Sequence, residues 1–173
     1  MGEAVILEAV RLPFGRRGGV YRQTRPDWLL AHVLCGLVDR LGIEPALIED
    51  VVAGCVTQAR EQGANIGRLA TLLAGFPVHV PAATLDRMCG SSQQAVHFAS
   101  QAIDAGDIRY AIGAGVENMT RVPMFSNLDG GFEALKGFEA LNPELLARYE
   151  IIHQGESAER LAERWKLSRE ALD

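Results

Sequence analysis

Residues 84–96, which read TLDRMCGSSQQAV, decide the fold of this chain. The first residues favour an extended strand, and Gly90 lets the backbone bend sharply next to Cys89. Ser91 and Ser92 are residue types that begin helices as N-caps. The stretch therefore predicts a strand–turn–helix elbow with a cysteine at its turn.

Cys89 is a candidate nucleophile because of the position that this elbow gives it. A cysteine at a helix N-terminus lies at the positive end of the helix dipole, which favours the reactive thiolate. Arg87, two residues upstream, would add positive potential. On the residues alone, the alternative stays open that Cys89 is a small buried hydrophobic side chain.

The composition is that of a globular protein without nucleic-acid or membrane segments. The chain has 173 residues, 48% apolar and 23% charged, with a net charge of −5. No run of Lys and Arg suggests nucleic-acid binding, and no apolar segment is long enough to span a bilayer. Three cysteines without metal-like spacing argue against a disulfide framework or a zinc site. We therefore expect a cytoplasmic protein without a metal.

The periodicity of apolar residues predicts alternating strands and helices. The predicted helices are 26–41, 66–74 and 91–105, and the predicted strands are 5–10, 51–56, 80–85 and 110–116. This alternation predicts a layered α/β fold with a mostly parallel sheet. The glycines of strand 110–116 and the small residues of helix 91–105 predict a close approach of backbone. Cys35 and Cys55 are interpreted as packing residues.

The character of the sequence changes after residue 120. Residues 121–156 contain two prolines and four glycines and lack a regular alternation of apolar and polar residues, as in a long loop that covers a site. A short helix is predicted from Pro143, another from Glu156, and a last one capped by Ser168. We divide the chain into a core domain, 1–120, and a second segment, 121–173.

Several motifs in the same order give the chain a family resemblance. The segment DRMCGSS at 86–92 resembles the nucleophile motif of thiolases, the acyl-CoA acetyltransferases. Five further segments are similar to thiolase motifs: Val10–Gly15, Gly54–Gln58, Asn65–Arg68, Gly113–Thr120 and His153–Glu159. The resemblance thus extends along the whole chain and implies the N-terminal half of the thiolase-like layered α/β fold, with part of its loop domain at 121–173.

The resemblance implies a role for each matched residue of the elbow. Cys89 would take the acyl group of an acyl-CoA as a thioester. Its backbone N–H would contribute to an oxyanion hole, supported by the elbow residues Gly90 and Ser91. The family implies CoA and acyl-CoA as substrates, with no further cofactor.

The resemblance also implies roles for two other pairs of residues. His153 and Gln154 match loop-domain positions that line the pantetheine channel. Asn65 and Arg68 lie in a segment that packs near the dimer interface of the family. A homodimer or homotetramer is therefore expected.

The chain also departs from the family pattern. Asp86 and Ser92 stand where the family has Asn and often Gly, and Gln154 replaces a common Met. The negative charge of Asp86, taken alone, would raise the pKa of the Cys89 thiol. The activating His and second Cys of thiolases belong to a second half, and none of the four histidines here lies in such a motif: His32, His79, His97 and His153.

These features predict the N-terminal half of a thiolase, cut within the loop domain and inactive without a C-terminal half. The full enzyme would cleave 3-ketoacyl-CoA with CoA, or condense two acetyl-CoA molecules. One alternative is a non-catalytic half that binds CoA or a partner chain. Another is a 3-ketoacyl carrier-protein synthase, which Arg87 and Met88 disfavour because its cysteine usually follows small residues.

Overall fold

A computed structural model describes residues 3–128, 130, 131, 138 and 140–173. The chain divides into two compact units, Met1–Phe132 and Glu133–Asp173, and each is described by itself. Part of the predicted long loop, at residues 129, 132–137 and 139, lies outside the described residues.

The first unit is built on a parallel sheet of three strands, β1 (Asp50–Gly54), β2 (Ala82–Leu85) and β3 (Ala111–Gly115). The strand order is β2-β1-β3, and both neighbours pair with β1 in parallel. Val51 lies opposite Ala82 on one side and Ile112 on the other. The predicted α/β fold is confirmed, and three of the four predicted strands are present in slightly shortened form.

The described part of this unit has three α-helices: α1 (Pro26–Leu41), α2 (Ile66–Leu73) and α3 (Ser91–Ala105). Pro26 suits the first position of α1 because it has no N–H to leave unpaired. Gly42 ends the helix with a φ of 63°, which glycine adopts without steric cost. The N-cap residue is Arg25, whose side chain makes no capping hydrogen bond.

One face of the sheet packs against α1 and α2. Leu30 and Leu34 of α1 are fully buried in one cluster with Val51, Ala53 and Ile112 of the strands. This cluster forms the hydrophobic core, since it holds the largest buried apolar side chains of the unit.

The other face packs against α3 through glycines. A Cβ on Gly54 would lie 2.3 Å from the backbone nitrogen of Ser92, and one on Gly113 would lie 2.7 Å from the Cα of Val96. Only the absence of a side chain lets α3 lie this close to the sheet. The predicted close approach is confirmed, and it places the first turn of α3 over the carboxyl end of β1.

The predicted first strand is not formed. Residues 3–16 have no regular secondary structure. The segment is held instead by a 2.9 Å hydrogen bond from the Ala4 amide to Asp104 and by a 3.2 Å ion pair between Glu8 and Arg40. The apolar run favours an extended backbone, but a strand also needs a hydrogen-bonded neighbour, and the free edge of β3 does not pair with it.

A cavity of about 1350 Å³ separates this N-terminal segment from the sheet. It is lined by the segment itself, by β3 and by faces of α1 and α3. Val5, Ile6 and Leu7 are 67%, 80% and 59% exposed. Within the described part of the first unit, the cavity is therefore an apolar cleft along the edge strand β3.

Among its described residues, the second unit has three α-helices, α4 (Pro143–Arg148), α5 (Gln154–Trp165) and α6 (Arg169–Leu172). The side chain of Asn142 caps α4 by accepting the amide of Glu144 at 2.8 Å. Ser168 caps α6, as its position in the sequence predicts. Helix α5 begins two residues before the predicted Glu156. Among the described residues, no helix is long and apolar enough to cross a membrane.

Candidate active site

The five residues between β2 and α3 form the predicted elbow. β2 ends at Leu85 and α3 begins at Ser91. Met88 has a φ of 47°, in the left-handed region that costs a side-chain-bearing residue about 1 to 2 kcal/mol. Cys89 follows directly and is exposed. The strand–turn–helix geometry with an accessible thiol at the turn is thereby confirmed.

Backbone hydrogen bonds use the amides of Gly90 and Ser91 to close the turn. The Gly90 amide donates to the Arg87 carbonyl and the Ser91 amide to the Met88 carbonyl, both at 3.0 Å. Within the described part of the chain, the Cys89 amide has no such acceptor. The Cys89 N–H is therefore available to an external oxygen, whereas the amides of Gly90 and Ser91 close the turn.

The serines do not cap α3 as the sequence predicts. Gly90 occupies the N-cap position and has no side chain to cap with. Ser91 is buried, and its hydroxyl accepts the Arg87 amide at 2.8 Å and donates to the Met88 carbonyl at 2.6 Å. Ser91 is the first residue of α3, one position after the N-cap, and its hydroxyl is hydrogen-bonded to the preceding turn. Ser92 faces the glycines of the sheet.

The polar side chains of Asp86 and Arg87 in the elbow are also hydrogen-bonded. A carboxylate oxygen of Asp86 accepts the Met88 amide at 2.7 Å. The Arg87 guanidinium donates to the side-chain carbonyl of Gln94, which is buried on α3. Arg87 is thus tied to the helix that follows the cysteine.

The three cysteines differ sharply in environment. Cys55 is buried, and burial, reinforced by the Glu117 carboxylate, raises the pKa of its thiol to about 12. Cys35 donates to the Ala74 carbonyl at 3.4 Å, and burial raises the pKa of its thiol as well. Cys89 is the exposed one of the three. Because the thiolate is the nucleophile, the burial pattern favours Cys89 over the other two.

The raised pKa of Cys55 predicts a loss of stability at high pH. Its folded-state pKa of about 12 exceeds the ordinary value of 9.0, so the folded state holds this proton more tightly than the unfolded state. The contribution of Cys55 is complete below about pH 9 and is lost as the pH rises toward 12. Urea unfolding of the wild type and Cys55→Ala should therefore give a stability difference that shrinks between pH 8 and pH 11. A stability difference that stays constant over this pH range would contradict the raised pKa of Cys55.

A polar cluster, Gln62, Glu117 and Asn118, joins the ends of β1 and β3 beside the elbow. The Glu117 carboxylate accepts the amides of Val56 and Thr57 at 2.8 and 3.2 Å. The fully buried Gln62 donates to Glu117 at 2.7 Å and accepts the Asn118 amide at 2.8 Å. Sequence reasoning missed Gln62, because nothing distinguishes it from the other polar residues of its loop.

We expect Gln62→Leu to destabilise the first unit by about 2 to 4 kcal/mol. The substitution leaves the Asn118 amide without its buried acceptor, which costs about 1 to 3 kcal/mol, and removes the hydrogen bond from Gln62 to the Glu117 carboxylate, which is worth about 1.5 to 3 kcal/mol. Gln101→Leu, on the exposed surface of α3, is the matched control, and it should change the free energy of unfolding by no more than about 0.5 kcal/mol. Equal effects of the two changes on urea unfolding would refute the role of the cluster.

Asn65 and Arg68 bind the segment that enters β2. Asn65 is the N-cap of α2, and its side-chain oxygen accepts the Arg68 amide at 3.2 Å. Its side-chain nitrogen donates to the Ala82 carbonyl at 2.8 Å. The Arg68 guanidinium donates to the carbonyls of Val78 and Val80. Both residues thus have structural contacts within this chain.

His153 and Gln154 belong to the second unit. His153 is the N-cap residue of α5, and its ring stacks on Phe138 with centroids 4.7 Å apart. Its carbonyl accepts the Ser157 amide at 3.0 Å. Gln154 is the exposed first residue of α5.

In the first unit no histidine is hydrogen-bonded to Cys89, and no metal site is found among the described residues. In the first unit, His32 stacks on Trp28, His79 lies by the Ala46 carbonyl, and His97 is on α3. No group of three or more acidic, His or Cys side chains among the described residues could hold a metal ion. The large apolar cleft does not include the elbow in its lining.

Comparisons with known proteins agree with this architecture. A family model described as "Thiolase, N-terminal domain" matches residues 4–173. The chain is 42% identical over 178 aligned positions to a steroid 3-ketoacyl-CoA thiolase of Mycobacterium tuberculosis, with 100% of this chain and 43% of that protein covered. It is 38% identical over 182 positions to a beta-ketoadipyl-CoA thiolase of Acinetobacter baylyi, with 100% and 45% covered.

A solved structure is also similar. The crystal structure of the Bacillus anthracis acetyl-CoA acetyltransferase matches with a TM-score of 0.80 and 33% identity, covering 98% of this chain and 44% of that one. The chain thus spans less than half the length of each of these three proteins.

Proposed function

Since the chain belongs to the thiolase family, as its N-terminal domain, we propose that Cys89 is the nucleophile that takes an acyl group from acyl-CoA. The observation that carries the proposal is the exposed thiol of Cys89 at the turn of the elbow, while the thiols of Cys35 and Cys55 have raised pKa values. The exposure of Cys89 and the raised pKa values of the other two thiols thus favour the same cysteine.

The half-reaction exchanges one thioester for another. The Cys89 sulfur attacks the carbonyl carbon of the acyl-CoA, the bond from that carbon to the CoA sulfur breaks, and CoA leaves with the proton given up by Cys89. The Cys89 amide would bind the oxyanion of the tetrahedral intermediate, supported by Gly90 and Ser91. Its lack of an internal acceptor supports this role.

The complete reaction needs groups that accompany Cys89 in a longer protein. We assign to that protein the cleavage of 3-ketoacyl-CoA by CoA, or the reverse condensation that forms acetoacetyl-CoA. The names of the relatives, which include two thiolases of 3-keto substrates, favour the degradative direction. The described first unit offers Cys89 no His partner, so a C-terminal half would supply the general base.

CoA would be recognised by residues 121–173, the proposed start of a loop domain, whose residues from 133 onward form the second unit. The exposed Gln154 and the adjacent His153 are the proposed contacts with the pantetheine arm. No metal or other cofactor is required for thioester exchange, so chelators should leave acylation of Cys89 unchanged.

The apolar surface of the first unit supports association with further polypeptide. Leu69, Leu72 and Leu73 are exposed on α2, and an apolar cleft lies along β3. Burial of such surface is favourable by about 25 cal/mol per Å². We assign the Asn65–Arg68 face to a homodimer or homotetramer of a cytoplasmic enzyme, and the cleft to the rest of the longer protein. Light scattering that gives a clean monomer would contradict this association.

The test of the proposed function separates acylation from turnover. The purified 173-residue chain, given acetoacetyl-CoA and CoA, should show no thiolysis, while acetyl-CoA should acetylate Cys89. Measurable thiolysis would overturn the requirement for a second half. A chain that binds CoA without any acetylation of Cys89 would favour the alternative, a non-catalytic half that binds CoA or a partner chain.

A further inference from the structure

The residue before the nucleophile carries the backbone strain of the elbow. Met88 has a φ of 47° and is 62% exposed, so its side chain gains little from burial that would offset the strain. A residue in this region persists when neighbouring contacts hold it there. The direction of the Cys89 thiol depends on Met88, because Cys89 is the next residue in the chain.

Two side chains hold the peptide groups on both sides of Met88. The Asp86 carboxylate accepts the Met88 N–H at 2.7 Å, and the buried Ser91 hydroxyl donates to the Met88 carbonyl at 2.6 Å. The same hydroxyl accepts the Arg87 amide at 2.8 Å. Asp86 therefore acts from the strand side of the turn and Ser91 from the helix side.

We propose that Asp86 is a positioning residue for Cys89, which holds Met88 in its left-handed conformation by accepting the Met88 N–H. This inference rests on the proposed nucleophilic role of Cys89. The bond runs from a side-chain oxygen to the amide two residues on, an arrangement that Asp and Asn make equally well. The acceptor atom is what the elbow requires, and the negative charge of Asp86 is incidental to it.

Three variants separate the acceptor from the charge. Asp86→Asn keeps an acceptor oxygen and removes the charge, and Asp86→Ala removes both. The double variant Asp86→Ala/Met88→Gly removes the acceptor together with the steric penalty of a positive φ, which glycine does not pay. Two quantities are measured on the 173-residue chain: hydrogen exchange of the amide of residue 88, and the rate of acetylation of Cys89 by acetyl-CoA. Thermal unfolding establishes that each variant is folded.

We expect Asp86→Ala to lose protection of the residue 88 amide and to slow acetylation by about tenfold, the equivalent of one hydrogen bond. Asp86→Asn should retain the protection and a rate within about threefold of the wild type, and Met88→Gly should restore most of the rate lost by Asp86→Ala. An alanine variant with the wild-type acetylation rate would overturn the inference, as would an asparagine variant that behaves like alanine. If the wild type is not acetylated but the exchange pattern is as expected, the nucleophilic role fails and the conformational role of Asp86 stands.

Discussion

Replacement of Gly54 by alanine should destabilise the first unit by about 3 kcal/mol or more, because the new Cβ meets backbone that cannot yield. It would lie 2.3 Å from the nitrogen of Ser92 and 2.5 Å from the carbonyl carbon of Ser91. Relief of the clash requires α3 to move away from the sheet, and the elbow moves with it. Urea unfolding measures the loss of stability.

Gly36→Ala is the matched control for this substitution. Gly36 lies within α1, and a Cβ built there meets nothing within 4 Å. The same change should therefore stabilise the chain by about 0.5 to 1 kcal/mol, through the helix preference of alanine. If the two alanine variants changed the unfolding free energy alike, the close approach of α3 to the sheet would be refuted.

Cys89→Ala should reduce acyl transfer by at least about a thousandfold in any longer protein that contains this chain, since loss of a covalent nucleophile removes the acyl-enzyme pathway. Cys35→Ala, which changes a half-buried thiol on α1, should keep the rate within about twofold. The measurement is steady-state thiolysis of a 3-ketoacyl-CoA. Retained thiolysis in Cys89→Ala, with loss in Cys35→Ala, would place the nucleophile elsewhere.

The parts of the fold that the sequence predicts are those set by local signals. Helix α1 begins at Pro26 and ends before Gly42, as the apolar spacing and these two residues indicate. The elbow was also predictable, because Gly90 and the helix-forming residues after it follow an extended run directly.

The parts of the fold that the sequence does not predict depend on contacts between residues that are distant in sequence. Residues 5–10 have the composition of a strand, but their pairing depends on an edge that local composition does not reveal. Gln62 and Glu117 meet across 55 positions of the chain, and Gln62 has no local pattern to mark it. The residue type of Ser91 predicts a helix cap, but its hydroxyl is hydrogen-bonded to the Arg87 amide and the Met88 carbonyl of the preceding turn.

The elbow illustrates how fold and chemistry depend on each other. The glycines of β1 and β3 bring α3 close to the sheet, and the turn that enters α3 must therefore be tight. Met88 takes the strained conformation, and Cys89 is left exposed at the turn. The same packing buries Cys55, whose thiol keeps its proton because burial raises its pKa.

The central claim, that Cys89 is an acyl-thioester nucleophile, is tested most directly by mass spectrometry of the folded 173-residue chain after incubation with acetyl-CoA. We predict one acetyl group, located by peptide mapping on Cys89, removed by excess CoA and absent from Cys89→Ala. An acetyl group found on Cys35 or Cys55 in place of Cys89, or no acetylation of a chain shown to be folded, would contradict the claim.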